Sequence, residues 1–352
     1  MRLLVLTGGG EPPYSSNQGL IAGFRSLGHE VLTVGPGYWS RQLNEIDLPD
    51  RQHPEYYSYE EVLDRVRNAP DWILNVEPHA FLTGQKPPGM HSAFYATDYH
   101  RAGEFYHRVI SQGSFDVAFI GQPHYASLYG NLGIPIITIP VGFDSRRFDR
   151  LVNPVPRCQI SFVGQTGIAK MAYPFEDEIG HYATAPPAGL PLGPQRFAFW
   201  EHGGFDYAER AEILSRLCRD FDVRMYADLW DRDRFQAALQ AGQIGVNRSV
   251  LNDITLRVWE VLAVGRPLVC DSVPGLSDLL VDGTHCLMYG SYFRPHVENF
   301  RLEYEQVRNK IHSLLIGDTG VRMGDVGQQF VWQHHTWDRR AKDMVYHLSG
   351  LS

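Results

Sequence analysis

The feature that most constrains the fold is a regular alternation between short, mostly apolar segments and segments of helical period. Residues 2–7 (RLLVLT) and 115–120 (FDVAFI) carry apolar side chains on both faces of a strand. Such strands are typical of parallel sheets covered by helices on both sides. A second alternating set begins at residues 159–163, after the proline-containing stretch 149–157. We therefore predict an α/β protein with two Rossmann-like, doubly wound parallel-sheet domains facing a cleft.

The length supports two domains, because 352 residues exceed what one hydrophobic core usually holds. We predict an N-terminal domain over residues 1–150, a C-terminal domain over 157–329, and a closing helix over about 330–352 that returns to the first domain. Residues 169–206 are rich in proline, glycine and aromatic side chains and have no clear period. We predict an inserted loop or lid there, since long aperiodic segments in compact domains usually serve a function.

Composition and charge exclude several classes of protein. The formal net charge of -8 disfavours proteins that bind nucleic acid mainly through its phosphates. No apolar run reaches the length of about 18 residues that a membrane span needs, and residues 1–7 resemble a first strand more than a signal peptide. The four cysteines form no C-x-x-C pair, so neither a zinc site nor a disulfide framework is expected. We expect a cytoplasmic protein of undetermined oligomeric state.

Residues 247–290 carry the strongest chemical signal. Asn252 or Asp253 is expected to cap a helix that begins near Ile254, and Arg257 and Glu260 then share one helical face. An arginine near a helix N-terminus favours a diphosphate, and a carboxylate can accept hydrogen bonds from two ribose hydroxyls. The alternative is a surface Arg-Glu pair three residues apart.

The same segment resembles a known family. Glu260-Val-Leu-Ala-Val-Gly-Arg-Pro267 resembles the donor-binding segment of retaining two-domain glycosyltransferases of the GT-B fold, and Arg257-Val-Trp-Glu260 most resembles the CgeB-like (spore maturation protein) branch of family-4-type transferases. Further stretches resemble other parts of this family: Ile139-Pro-Val-Gly-Phe-Asp144, Phe162-Val163-Gly164 and His335-Thr336-Trp337. The detailed similarity covers about a third of the chain.

The resemblance implies roles for several residues. Family-4-type enzymes usually carry two glutamates eight positions apart; the later one corresponds to Glu260, whereas Asn252 stands at the earlier position, which is assigned to the hydroxyls of the donor sugar. A positive side chain after the first C-terminal strand is expected to bind the diphosphate, and the two candidates are Lys170 and Arg210. A solvated lysine within the insertion is the alternative for Lys170. The donor-side group is completed by Gly164, Tyr226 and Asn247, which end predicted strands.

The N-terminal half is predicted to bind the acceptor. Gly8-Gly9-Gly10 follows the first strand but fails as a dinucleotide fingerprint, because Pro13 replaces the third small residue. Gly9 and Gly10 form either an acceptor-side loop or a flexible turn. Glu77 and Asp98 follow predicted strands and are expected to orient an acceptor hydroxyl, as catalytic residues. Three histidines follow strands in the same way: His79, His100 and His124. Taken alone, each of these side chains is better explained as an ordinary polar loop residue.

These observations predict a glycosyltransferase that moves a sugar from a nucleoside diphosphate sugar to an acceptor hydroxyl. Arg210 and Lys170 would stabilise the departing diphosphate, and Glu260 would hold the ribose. We expect no cofactor and no metal, because no His, Asp or Glu cluster has ligand spacing; retention of configuration is implied by the resemblance alone. The acceptor would be a glycan, a protein or a small molecule, with modified DNA disfavoured by the charge. Two alternatives remain: a nucleotide-sugar 2-epimerase of the same fold, and a non-catalytic nucleotide-sugar-binding protein.

Overall fold

The computed structural model describes residues 1–7, 16–36, 45–49, 55–76, 80–97, 103–164, 175–184, 204–226, 229, 231–249, 252–290 and 300–351. The chain divides into two compact units. Unit 1 comprises Met1–Asp144 and Thr336–Ser352, and unit 2 comprises Ser145–His335. The chain thus leaves unit 1 after Asp144 and returns to it at Thr336. The sequence prediction places the exit at residue 150 and the return at about residue 330.

Unit 1 contains a parallel sheet whose described strands have the order β3-β2-β1-β5-β7-β8-β9, with β4 and β6 as a separate parallel pair. The strands are β1 (Arg2–Thr7), β2 (Glu30–Pro36), β3 (Ile46–Leu48), β4 (Glu55–Ser58), β5 (Trp72–Val76), β6 (Ala80–Thr83), β7 (His91–Ala96), β8 (Val117–Ile120) and β9 (Ile136–Thr138). The α-helices of unit 1 that precede unit 2 in the sequence are α1 (Ser16–Ser26), α2 (Tyr59–Leu63) and α3 (Gly103–Gln112).

The central strands of unit 1 are buried on both faces, as their continuous apolar sequence predicts. Leu3, Leu4, Val5 and Leu6 of β1 are fully buried. The C-terminal helix α9 (Trp337–Leu351) packs on α1. A Cβ on Gly19 of α1 would lie 2.1 Å from Trp337 Cδ1, so only glycine lets the indole approach this helix. The predicted parallel sheet is therefore confirmed in unit 1.

Unit 2 contains a second sheet, with the described strands in the order β11-β12-β13-β10-β14-β15-β16. Its strands are β10 (Cys158–Val163), β11 (Phe175–Glu176), β12 (His181–Ala183), β13 (Val223–Tyr226), β14 (Gly242–Asn247), β15 (Leu268–Asp271) and β16 (Leu287–Tyr289). Its helices are α4 (Gly204–Asp220), α5 (Arg232–Gln240), α6 (Leu256–Ala263), α7 (Phe300–Leu315) and α8 (Thr319–His334). Strands β13, β10, β14, β15 and β16 run parallel, so their carboxyl ends meet at one edge.

Part of the predicted insertion is regular structure. Strands β11 and β12 form an antiparallel hairpin that extends the sheet beside β13. Asp177 fixes its turn: one carboxylate oxygen accepts from the backbone N–H groups of Ile179 and Gly180 at 2.9 and 3.2 Å. Strands of two and three residues leave too short a pattern to detect, so the prediction of an aperiodic loop is wrong for residues 175–184. Residues 169–174 and 185–203 lie outside the described residues.

The end of the chain also differs from the prediction. We predict a single closing helix over about 330–352, but the structure has two helices in this range, α8 and α9, with a break at His335 and Thr336. Thr336 Oγ1 accepts a hydrogen bond from Arg339 N at 3.2 Å, which satisfies a free donor at the start of α9.

Candidate functional site

The helix that carries Arg257 and Glu260 begins later than predicted. Its N-cap is Thr255, whose hydroxyl donates to Asn247 Oδ1 at 3.1 Å instead of capping the helix. The predicted capping by Asn252 or Asp253 is wrong, because Asn252 has a φ of 63° and belongs to a left-handed turn between β14 and α6. The hydrogen bond from Thr255 to Asn247 thus ties the N-terminus of α6 to the carboxyl end of β14.

Arg257 and Glu260 form a largely buried ion pair on α6. Arg257 Nη1 lies 2.9 Å from Glu260 Oε2, and the two side chains expose 18% and 7% of their surface. Burial lowers the pKa of Arg257, the Glu260 carboxylate opposes this shift, and the neighbouring Arg147 cation adds to it. So low an exposure disfavours the interpretation as a solvated surface pair.

Gly164, at the carboxyl end of β10, brings a second predicted donor residue to this pair. Its φ is 137°, a conformation that glycine adopts readily and other residues rarely do. A Cβ at this position would lie 3.5 Å from Arg257 Nη2. The structure therefore brings together Gly164, Arg257 and Glu260.

Sequence reasoning missed two further members of this cluster. Arg147 Nη1 lies 3.5 Å from Glu260 Oε1, and the Arg147 side chain is 11% exposed. The ring of Phe235, on α5, lies beside both arginines: its centroid is 4.6 Å from Arg147 Cζ and 4.9 Å from Arg257 Cζ. Residue 147 is 113 positions from residue 260, so no local spacing could have linked them.

The cluster combines two guanidinium groups with one carboxylate. Planar guanidinium forks match phosphate oxygens, and their stacking on an aromatic ring holds them in place. Each Glu260 oxygen faces one arginine, and a carboxylate oxygen has about two lone-pair sites, so each oxygen retains acceptor capacity. This arrangement suits an anionic group beside a pair of hydroxyls.

Arg210, one of the two side chains predicted to bind the diphosphate, makes different contacts. Its side chain on α4 is 8% exposed, and its Nε and Nη2 both donate to the backbone oxygen of Arg248, at 2.9 and 2.6 Å. It thus ties α4 to the loop after β14. Contact with a diphosphate stays a prediction for this residue.

A buried ion network fixes the same loop. Arg248 pairs with Glu303 of α7 and lies 3.6 Å from Asp271 Oδ2 at the end of β15. Asp271 Oδ1 in turn accepts from the backbone N–H and the hydroxyl of Ser249, at 2.8 and 3.0 Å. The sequence signal that was available is the position of Asp271, a carboxylate at the carboxyl end of a central strand.

Two predicted donor residues make internal contacts. The hydroxyl of Tyr226 donates to Asp177 of the β11–β12 hairpin at 3.1 Å, and burial raises its pKa. The side chain of Asn247 accepts a hydrogen bond from the Thr255 hydroxyl, and its backbone oxygen accepts one from the Tyr289 hydroxyl at 3.2 Å. Asn247 Nδ2 is buried and has no hydrogen-bond partner among the described residues.

Of the residues predicted to bind the acceptor, the structure describes only His124. His124 lies in a 3-10 helix, Pro123–Tyr129, where its ring centroid is 3.9 Å from that of Tyr125. The remaining predicted residues lie outside the described part of the chain: Glu77, Asp98, His79, His100, Gly9, Gly10 and Lys170. Their roles stay predictions.

The described residues contain no group of three His, Cys, Asp or Glu side chains that could hold a metal ion. Asp231-Arg232-Asp233 has the Asp-x-Asp spacing of many metal sites, but Asp231 is the N-cap of α5 and accepts from Arg234 N at 2.9 Å. Within the same described ranges, no helix is both long and apolar enough to cross a membrane.

Comparison with known proteins adds a family and a fold. Residues 209–346 match the model of a family described as glycosyl transferase-like. The match begins within α4, ends within α9 and includes Arg210, Arg257 and Glu260. No curated protein shows significant sequence similarity to the chain.

Solved structures match nearly the whole chain at low identity. Sucrose-phosphate synthase from Thermosynechococcus elongatus has a TM-score of 0.57 at 13% identity, covering 100% of this chain and 99% of that one. HepE from Anabaena in complex with UDP and glucose has a TM-score of 0.60 at 12% identity, covering 99% and 100%. A glycosyltransferase from Rickettsia africae has a TM-score of 0.59 at 9% identity, covering 99% and 98%. The chain therefore has the GT-B fold of two-domain glycosyltransferases, and its residues 209–346 match the glycosyl transferase-like family.

Proposed function

We propose that this protein is a glycosyltransferase that takes its sugar from a nucleoside diphosphate sugar bound in unit 2. The observation that carries the proposal is the convergence of Gly164, Arg257 and Glu260 at the carboxyl edge of the second sheet. Ligands of open parallel sheets bind at this edge. The family match supports the same assignment, because it covers the helix that holds the ion pair.

The nucleotide would be held in two places. The guanidinium of Arg257, next to the backbone of Gly164, suits the diphosphate. The Glu260 carboxylate suits the two hydroxyls of the ribose, because it accepts hydrogen bonds and has spare acceptor sites. Uridine is the first base to test, since the structurally similar HepE was solved with UDP and with UDP-glucose.

The chemistry would be positional and electrostatic. Departure of the nucleoside diphosphate builds negative charge on its terminal phosphate, and fixed guanidinium groups stabilise that charge. We propose that Arg257 supplies this stabilisation directly and that Arg210 contributes from α4. Metal independence belongs to this proposal because no His, Asp or Glu cluster in the sequence has ligand spacing. Retention of anomeric configuration, transfer of a hexose and a specificity close to the CgeB-like branch also belong to it, and they rest on the sequence resemblance.

The acceptor hydroxyl is proposed to bind in unit 1, with Glu77 or Asp98 orienting it. The acceptor classes that fit the acidic chain are glycans, proteins and small molecules. Modified DNA fits less well, because a net charge of -8 disfavours a polyanionic partner.

Release of nucleoside diphosphate tests the proposal. The purified chain is incubated with UDP-glucose, UDP-galactose, UDP-N-acetylglucosamine, GDP-mannose and ADP-glucose, with and without a mixed acceptor panel. A transferase releases the diphosphate faster when its acceptor is present, and Arg257→Gln abolishes this release. Interconversion of nucleotide sugars without release would identify an epimerase, and binding without either reaction would identify a non-catalytic binding protein; both results contradict the proposal.

A further inference from the structure

We propose that Arg147 is a positioning residue of the donor site, which orients the Glu260 carboxylate toward the ribose hydroxyls. This inference rests on the proposed function, because it specifies how the same site selects its nucleotide. Arg147 lies just after the segment that ends unit 1. The sequence pattern did not predict it as a donor residue, and the family match at residues 209–346 does not reach it.

The first support is the geometry around Glu260. Arg147 Nη1 lies 3.5 Å from Oε1, whereas Arg257 Nη1 lies 2.9 Å from Oε2. The two arginines thus address different oxygens of one carboxylate from different elements of unit 2.

The second support is that Arg147 is held from several directions. Its backbone oxygen accepts from Arg232 Nε at 3.0 Å, and its guanidinium stacks on Phe235. Two residues later, Asp149 exchanges hydrogen bonds with the Gln236 side chain, through its N–H at 2.8 Å and its oxygen at 2.9 Å. All three partners stand on the first two turns of α5. The guanidinium is therefore fixed before any ligand binds, which is what a positioning group requires.

The third support is the number of acceptor sites that the Glu260 carboxylate offers. A single arginine prefers to engage both oxygens of a carboxylate through its fork. If only Arg257 faced Glu260, that fork would compete for the acceptor sites that two hydroxyls need. With Arg147 on Oε1 and Arg257 on Oε2, each oxygen keeps a site for one hydroxyl.

If Arg147 positions Glu260 in this way, the site should prefer ribonucleotides to 2′-deoxyribonucleotides. A carboxylate held in this way distinguishes a ribose from a 2′-deoxyribose, because one of its two hydroxyl contacts is lost with the 2′-hydroxyl. A hydrogen bond to a charged group is worth about one order of magnitude in affinity. Removing Arg147 should reduce this selectivity, whereas a direct phosphate contact by Arg147 would leave the selectivity intact.

The experiment measures the affinities of UDP and 2′-deoxy-UDP by calorimetric titration, with the matching GDP and ADP pairs as further arms. It uses the full chain and the variants Arg147→Gln, Arg147→Lys and Arg146→Gln, the last being a matched control on the exposed neighbouring residue. Thermal melting of each variant reports on folding. Arg147→Lys retains a cation near Oε1 and keeps the test decisive if Arg147→Gln fails to fold.

We expect the unchanged chain and Arg146→Gln to prefer the ribonucleotide by about tenfold. We expect this preference to fall to about twofold or less in Arg147→Gln and to be partly restored in Arg147→Lys. An equal loss of affinity for both nucleotides, or an unchanged preference in both Arg147 variants, overturns the role of Arg147 and leaves the proposed function standing. If the unchanged chain binds none of the nucleoside diphosphates, the proposed function is overturned together with this inference.

Discussion

Arg257 lies directly over Gly164: its Nη2 atom is 3.5 Å from the point that a Cβ on residue 164 would occupy. The two residues come from different elements, the end of β10 and the first turn of α6. Because residue 164 has no side chain, the guanidinium lies next to the backbone at the end of β10, and backbone N–H groups beside a cation suit a bound phosphate.

Gly164→Ala should therefore affect binding as well as stability. A side chain at a φ of 137° is strained, and such strain costs about 1–3 kcal/mol. Gly283→Ala is the matched control, because Gly283 also has a positive φ but has no neighbour within 4 Å of an added Cβ. We expect both variants to lose stability in urea denaturation. Only Gly164→Ala should bind UDP more weakly, and an equal UDP affinity in the two variants would remove Gly164 from the site.

Glu260→Gln tests the carboxylate at the centre of the cluster. The substitution keeps the shape of the side chain but leaves Arg147 and Arg257 without their anion in a largely buried place. We expect a loss of about 1–3 kcal/mol in the free energy of unfolding and a weaker affinity for UDP. Glu305→Gln, which removes half of an exposed pair with Arg308, should change stability by less than about 0.5 kcal/mol. Unchanged UDP affinity in Glu260→Gln would contradict the ribose contact.

Asp177→Ala tests the hairpin that replaces part of the expected lid. Asp177 accepts from two backbone N–H groups, from Arg224 and from Tyr226, so its loss removes several hydrogen bonds at once. We expect the free energy of unfolding to fall by about 2–3 kcal/mol, whereas Glu176→Ala, on the exposed side of the hairpin, should be nearly neutral. UDP affinity should stay within about twofold of the unchanged chain; a larger loss would place the hairpin and Tyr226 in the donor site.

His285 predicts how stability depends on pH. Its Nδ1 accepts from Val281 N at 3.1 Å and its ring stacks on Phe330; burial lowers its pKa below 6.5, and His334 adds to this shift. Since the folded state binds the proton less readily than the unfolded state, His285 contributes stability above pH 6.5 that is lost as the pH falls through its folded-state pKa. His285→Asn keeps an acceptor for Val281 and should flatten the pH dependence measured between pH 7 and 5. His181→Asn, at an exposed histidine, should leave the slope unchanged, and an unchanged slope in His285→Asn would show that another group causes it.

Metal removal tests the leaving-group chemistry. The proposal assigns the charge of the departing diphosphate to arginines, so turnover of the preferred nucleotide sugar should persist in excess EDTA. The assay compares initial rates with EDTA, with added magnesium and with added manganese. Complete loss in EDTA that either metal restores would show that a cation, and not Arg257 alone, stabilises the leaving group.

The sequence predicted features that depend on local pattern. The strand predicted over residues 2–7 matches β1 residue for residue, because a run of apolar side chains specifies a buried strand. Arg257 and Glu260 were found for the same reason, since a spacing of three places them on one helical face. The hairpin β11–β12, the break at Thr336 and the approach of Arg147 to Glu260 depend on tertiary contacts. No periodicity encodes such contacts, and a single sequence cannot show them.

The most direct test of the central claim is the position of UDP in a crystal structure of the complex with this protein. The account predicts the diphosphate beside Arg257 and Gly164, with both ribose hydroxyls within hydrogen-bonding distance of the Glu260 carboxylate. A UDP molecule bound elsewhere, with Arg257 and Glu260 paired to each other and in contact with no ligand atom, would contradict it.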